Sequence, residues 1–121
     1  MKRAIGFDVV RKIGRTLPGV EESTAYGSPA LKVGGRLFAC IAINKAAEPN
    51  SLMVRMPLED RDALIAEQPD VYYLADHYAP YPCVLARLAR VDPAALRDLL
   101  LMGWRFVSAQ KKRPARTTRR G

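Results

Sequence analysis

Leu17-Pro18-Gly19-Val20-Glu21-Glu22 and, after Tyr26-Gly27, the run Ala30-Leu31-Lys32-Val33-Gly34-Gly35-Arg36-Leu37-Phe38-Ala39 decide the fold of this chain. Pro18-Gly19 stops a helix, since proline cannot extend one and glycine accepts the left-handed conformation that follows it. Val20-Glu21-Glu22 reads as a short acidic loop, with room for a minor strand at Thr24 to Tyr26. Gly34-Gly35 separates two β-prone runs and supplies the positive φ that a two-residue primed turn needs. Such a turn sets a register in which Val33 faces Arg36, Lys32 faces Leu37 and Leu31 faces Phe38, alternate pairs lying on opposite faces of the sheet. Leu31, Phe38 and Cys40 then make a core face, and Lys32 points the other way, near the hairpin tip.

Working outward, Val9, Val10, Ile13 and Leu17 recur at helical spacing, so residues 7 to 16 read as an amphipathic helix. Arg11, Lys12 and Arg15 stand in its last turns, where cations complement the helix dipole and stay solvated. Residues 44 to 50 form a loop into a strand at Ser51 to Met56. Pro57 opens a second helix, with Glu59, Asp60 and Asp62 near the positive end of its dipole, and Pro69 closes it. Val71 to Leu74 is a short strand, and Cys83 to Val91 a longer apolar one. Asp92-Pro93 is an N-cap followed by proline at the first helical position. From there Leu96, Leu99, Leu100, Gly103 and Val107 line one face of the last helix, flanked by Trp104 and Phe106. The expected architecture is α+β and two-layered, an antiparallel sheet with helices on one face in the order helix, three strands, helix, two strands, helix. Leu31, Phe38, Val54, Leu96, Leu100 and Val107 are the expected core.

The chain has 121 residues, 49% of them hydrophobic, which suits one domain with a single core, over residues 1 to 110. No apolar run reaches the length of a membrane span, and no apolar signal segment follows Lys2 and Arg3, so a cytoplasmic protein with no membrane partner is expected. Cys40 and Cys83 lie far apart in apolar runs and read as small buried hydrophobes in a reducing compartment. The net charge of +8 is unevenly spread: the first 17 residues carry +4, residues 111 to 121 carry +6, and the body between them carries −2. The tail has repeated charge and no apolar periodicity, and reads as disordered when free.

The opening stretch closely resembles the signature of the MmcQ/YjbR family of small bacterial proteins. The resemblance continues through Leu52-Met53-Val54-Arg55-Met56, a strand ending in a basic residue, and through the aromatic segment Val71-Tyr72-Tyr73-Leu74-Ala75-Asp76-His77-Tyr78 with Tyr81-Pro82. Asp92-Pro93-Ala94-Ala95-Leu96 to Trp104-Arg105-Phe106-Val107 is similar to the family's last helix. The resemblance covers nearly all of residues 7 to 110 and implies an architecture similar to that of secretion chaperones, together with a DNA-binding role. Many members place a tryptophan after the histidine, at the start of the penultimate strand. This chain reads Tyr81-Pro82-Cys83-Val84 there, so no role of that tryptophan carries over.

His77, the only histidine, lies beside Asp76, but the chain has no Gly-x-Ser-x-Gly nucleophile elbow to complete a triad. One histidine and two isolated cysteines do not make a zinc site, and Asp60 with Asp62 lacks the rest of a calcium loop. Gly34-Gly35 lacks the Walker and dinucleotide spacings. No catalytic residue, metal or cofactor is therefore expected. Tyr72, Tyr73, Tyr78 and Tyr81 are the densest aromatic cluster, and Arg55, Tyr72, Tyr73, His77 and Tyr78 are the candidate pocket residues. Strand alternation sends Tyr72 and Tyr73 to opposite faces.

Two functions compete. One is a DNA-binding accessory protein, with weak, non-specific and salt-sensitive affinity supplied by Lys2, Arg3, Lys111, Lys112, Arg113, Arg116, Arg119 and Arg120, and with Lys32 and Arg36 on a hairpin wing. The other is a non-enzymatic adaptor that binds a protein partner, or a second copy of the chain, through the open sheet face. An apolar patch on that face favours the adaptor, and a continuous basic stripe favours DNA.

Overall fold

The computed structural model describes residues 6–25, 27–43 and 45–117, with side chains described as far as residue 109. The elements are α1 (Phe7–Gly14), β1 (Val20–Ala25), β2 (Ser28–Val33), β3 (Arg36–Ile41), β4 (Ser51–Arg55), α2 (Leu58–Glu67), β5 (Tyr72–Tyr73), β6 (Cys83–Arg87) and α3 (Pro93–Thr117). The six strands form one antiparallel sheet in the order β1-β2-β3-β4-β6-β5. Three helices lie on one face of it, as expected. α3 runs beyond residue 110, the boundary drawn from the sequence, and its side chains from there on lie outside the described ones. Among the described residues no helix is long and apolar enough to cross a membrane.

One strand more is present than the sequence suggested. Val20-Glu21-Glu22, expected as a short acidic loop, and the stretch after it, where a minor strand is expected at Thr24 to Tyr26, form one strand that pairs along its whole length with β2, from Val20↔Val33 to Ala25↔Ser28. An edge strand needs partners on one side only and tolerates charge, which is why Glu21 and Glu22 fit here. Glu22 lies 3.0 Å from Arg11 and 3.2 Å from Arg15, so two of the α1 cations hold the helix against this edge.

The glycine hairpin forms at Gly34 and Gly35, with φ of 60° and 79°. Val33↔Arg36 and Lys32↔Leu37 pair as expected, but Leu31 faces Ala39 rather than Phe38, because β3 carries a bulge. The extra residue sends Phe38 and Ala39 to the same face, under the helices. It also moves Cys40 to the opposite face from the one expected, where it joins Met53, Cys83 and Leu85.

The main core lies between sheet and helices. Leu31, Phe38, Val54, Leu96, Leu100 and Val107 are all fully buried there. The Asp92 carboxylate caps α3 by accepting from the Ala95 amide at 2.8 Å. α3 crosses β2, β3 and β4, and its Gly103 lies directly over Val54 and Phe38. The Trp104 indole N–H donates to the Pro18 carbonyl at 2.8 Å, tying α3 to the turn after α1.

Candidate functional site

The sheet face away from the helices is only partly covered. Ala30, Cys40, Met53, Cys83 and Leu85 form its apolar layer, and residues 75 to 82 fold over one side of it. Beside that segment an open cleft of about 740 Å³ remains. Its floor is Leu37 and Cys40 of β3, Met53 of β4 and Cys83 of β6. His77, Tyr78 and Tyr81 form one wall, Ala42 and Ile43 form the other, and Arg55 closes one end. Ile43 and Tyr81 are the exposed apolar rims, at 54% and 57%.

The segment that makes the aromatic wall has no regular secondary structure, and an arginine holds it. Arg61 of α2 is buried, and its Nη1 donates to the carbonyls of Ala79 and Tyr81 at 3.0 and 3.1 Å, while Nε donates to Asp62. The Met56 amide donates to Pro82 O at 2.9 Å, joining the same segment to the end of β4. His77 stands edge-on to Tyr78, with ring centroids 5.0 Å apart, and 6.4 Å from the Tyr81 ring.

Arg55 sits at the end of β4. It donates to Leu37 O at 3.3 Å, and its guanidinium is 5.7 Å from the Phe106 ring of α3. Burial lowers its pKa, and the neighbouring positive charge of Arg36 lowers it further.

Of the residues picked out in the sequence, the fold brings Arg55, His77 and Tyr78 to this cleft and leaves Tyr72 and Tyr73 out of its lining. Tyr72 is buried on the helix-covered face, in the main core. Tyr73 packs on the opposite face, as alternation requires, but serves a clasp at the far end of the sheet. Its hydroxyl accepts from the Glu48 amide at 2.7 Å and pairs with the Ser51 hydroxyl at 2.6 Å. Arg87 stacks 4.2 Å above its ring, binds both Glu48 carboxylate oxygens at 2.9 Å and donates to Pro69 and Asp70 carbonyls. Lys32 and Arg36 do not form one basic surface, because their cross-strand partners Leu37 and Val33 belong to opposite faces. Glu21 stands directly opposite Lys32. Lys2 and Arg3, and the side chains of Lys111, Lys112, Arg113, Arg116, Arg119 and Arg120, lie outside the described residues.

Ile43, Met53, Tyr81 and Arg61 were not singled out from the sequence as site residues. Tyr81 lay within the aromatic segment, which was the one available signal. The roles of Ile43 and Arg61 depend on partners 18 to 40 positions away.

Both cysteines are free thiols in the cleft floor. β3 and β6 flank β4, and Cys40 pairs with Met53 while Cys83 pairs with Arg55, so the two are separated by at least two strand spacings, roughly 9.5 Å, beyond the roughly 7 Å that a disulfide spans. Burial pushes each thiol from 9.0 up to about 11. A thiol raised on folding contributes stability that is complete below pH 9 and is lost as pH climbs toward 11. Buried Tyr72, also raised, acts in the same sense. The urea midpoint is therefore expected to hold level from pH 7 to 8.5 and to fall between pH 9 and 11. The fall should be shallower in a Cys40→Ala, Cys83→Ala double variant, and an equal slope would contradict this origin.

A small α+β protein with one sheet face covered by helices and an apolar-floored cleft on the other is the class that fold and site define. The YjbR family model matches residues 15–106, and the chain belongs to the YjbR family. Deinococcus radiodurans protein DR2400, a crystal structure described with the domain name DUF419, has a similar fold: TM-score 0.73 at 21% identity, over 89% of this chain and 82% of that one. Uncharacterized protein Rv2570 of Mycobacterium tuberculosis and uncharacterized protein Mb2600 of Mycobacterium bovis are each 43% identical to it over 42 residues. That match spans 35% of this chain and about a third of each relative.

Proposed function

We propose that this protein is a non-enzymatic adaptor whose working surface is the open face of the sheet, and that a partner protein lays an apolar segment into the cleft between Ile43 and Tyr81. The observation that carries this reading is the pair of exposed apolar rims over an apolar floor. Exposed apolar surface of this kind, edged by a few polar groups, marks sites of association. The cations of the folded body lend little support to a DNA-reading surface. Arg11 and Arg15 pair with Glu22, Arg61 holds the cleft wall, and Arg87 clasps the far loops. A DNA role would rest on the two cationic ends of the chain.

Peptide display on the immobilised full chain tests the proposal beside titration with duplex DNA at several salt concentrations. The expected result is a family of peptides enriched in apolar residues that binds the wild type and is lost on Ile43→Asp. No enrichment, together with DNA affinity that disappears on removing residues 111 to 121 and is indifferent to Ile43→Asp, would return the function to the termini.

A further inference from the structure

The two edges of the sheet are built differently. β5 is two residues long, whereas β1 at the other edge has six, as many as any strand of the sheet. Short edge strands, prolines, bulges and uncompensated charges are the usual means of stopping a sheet from growing at its edge. β1 has no proline or glycine, pairs with β2 without a register shift, and carries two charges that are already compensated within the chain. Glu22 is held by Arg11 and Arg15, and Glu21 faces Lys32 of β2. Among the described residues, the backbone of Glu21 to Ala25 is hydrogen-bonded to β2 only, so its outer groups are left to water or to another strand.

We propose that this edge takes a second copy of the chain, with β1 pairing antiparallel to β1 of that copy about a two-fold axis at Ser23, so that two sheets join into one. In an antiparallel pair the outward-pointing groups of one strand meet those of the other, and such groups alternate along each strand. Two identical strands therefore pair residues whose numbers differ by an even count, and the axis falls on a residue. An axis at Glu21 or Glu22 sets that glutamate directly against its own copy, which is unfavourable. An axis at Thr24 pairs only residues 23 to 25 within the strand. An axis at Ser23 pairs residues 21 to 25: Ser23 meets Ser23, Glu22 meets Thr24 and Glu21 meets Ala25, with no like charges opposed. Glu22 then stands diagonal to its copy, roughly 7–8 Å away, each with two arginines on it. A strand pairing of that length is small beside the ~1,600 Å² of a standard interface, so the product is a reversible dimer that builds up with concentration. β1 takes no part in lining the cleft, which stays open in both copies.

A cysteine placed on the axis gives the sharpest test. Directly opposed residues stand about 4.5–5.5 Å apart at Cα, within the range of a disulfide, so Ser23→Cys is expected to oxidise to a covalent dimer at the concentration of an NMR sample. Glu21→Cys and Thr24→Cys, whose copies lie farther apart, should not link, although both positions are more exposed than Ser23. The wild type, with both native thiols buried, is the control. In sedimentation velocity the wild type should gain mass with concentration. Ser23→Lys, which opposes two cations on the axis, should stay monomeric, and Ile43→Asp should behave as the wild type. Failure of Ser23→Cys to link, preferential linking at Glu22→Cys, or equal linking at 21, 23 and 24, the mark of random collision, would each overturn the proposal. So would a wild type that remains monomeric throughout. A dimer broken by Ile43→Asp and untouched by Ser23→Lys would move self-association to the open face. Peptide binding at the cleft is read separately and should be the same in Ser23→Lys as in the wild type.

Discussion

Gly103→Ala is expected to destabilise the protein by about 1–3 kcal/mol, the usual cost of overpacking a core, although alanine is the better helix former by about 1 kcal/mol. A β-carbon at this position would stand 2.7 Å from Val54 Cγ1, 3.1 Å from the Arg55 carbonyl oxygen and 3.3 Å from the Phe38 ring. The first neighbour can rotate away, but the second is backbone in a central strand. Either α3 lifts from the sheet or β4 bends, and both loosen the fully buried layer of Phe38, Leu96 and Leu100. Gly103→Leu, with three more carbons to place, is expected to leave no cooperative unfolding transition. Urea denaturation gives the measurement, with the exposed Arg105→Ala on the same helix as a control expected to stay within about 0.5 kcal/mol of wild type. Val54→Ala should cost less in the Gly103→Ala background than alone, since it removes the clashing methyl group. A stabilised Gly103→Ala protein would mean that α3 does not approach β4 this closely.

The second large effect is at Arg61. Its guanidinium is buried at the base of the segment 75 to 82 and donates to two of that segment's carbonyls. Hydrogen bonds to a charged group are worth about 1.5–3 kcal/mol each when buried. Ala79 and Tyr81 are exposed, so water takes over part of the loss, and Arg61→Ala is expected to cost about 2 kcal/mol. The more telling readout is local. Amide hydrogen exchange should accelerate across residues 78 to 83 and stay unchanged in β2 and β3. Arg61→Lys should not restore protection, because a single ammonium cannot reach two carbonyls and Asp62 with the geometry of a planar fork. Binding of the apolar peptides expected at the cleft should weaken in both variants, since the aromatic wall is no longer held. Unchanged exchange over that segment would show that its own internal turns suffice.

Much of this protein was legible wherever the determining physics is local. Two adjacent glycines are enough to place a primed turn, because the required φ belongs to those residues themselves, and the turn formed at Gly34 and Gly35. Asp92-Pro93 marked the start of α3 for a similar reason: a capping carboxylate and a proline act within one turn of helix. The spacing of Leu96, Leu100, Gly103 and Val107 pointed to one buried face, which all four occupy.

Other features depend on partners distant in the chain. β1 is polar, and its sequence suggests only a loop at Val20 to Glu22 and a minor strand at Thr24 to Tyr26, because an edge strand owes its existence to pairing with β2 rather than to its own propensity. The bulge in β3 is silent in the sequence, since it reflects how Phe38 and Ala39 both settle beneath the helices, yet that one extra residue turns Cys40 to the open face. The cleft has the same character. Arg55, His77 and Tyr78 were visible as residue types, but Ile43 and Tyr81 become opposing rims only when β3 and the segment before β6 meet across the sheet, held by an arginine on a third element. By itself the sequence determined the helices, the glycine turn and which residues are apolar enough to be buried, since backbone conformation and hydrophobic period are written in neighbouring residues. Only the tertiary structure decided which face stayed open and what lies on it, because that depends on strand order, one bulge and side chains that meet across distances no local pattern encodes.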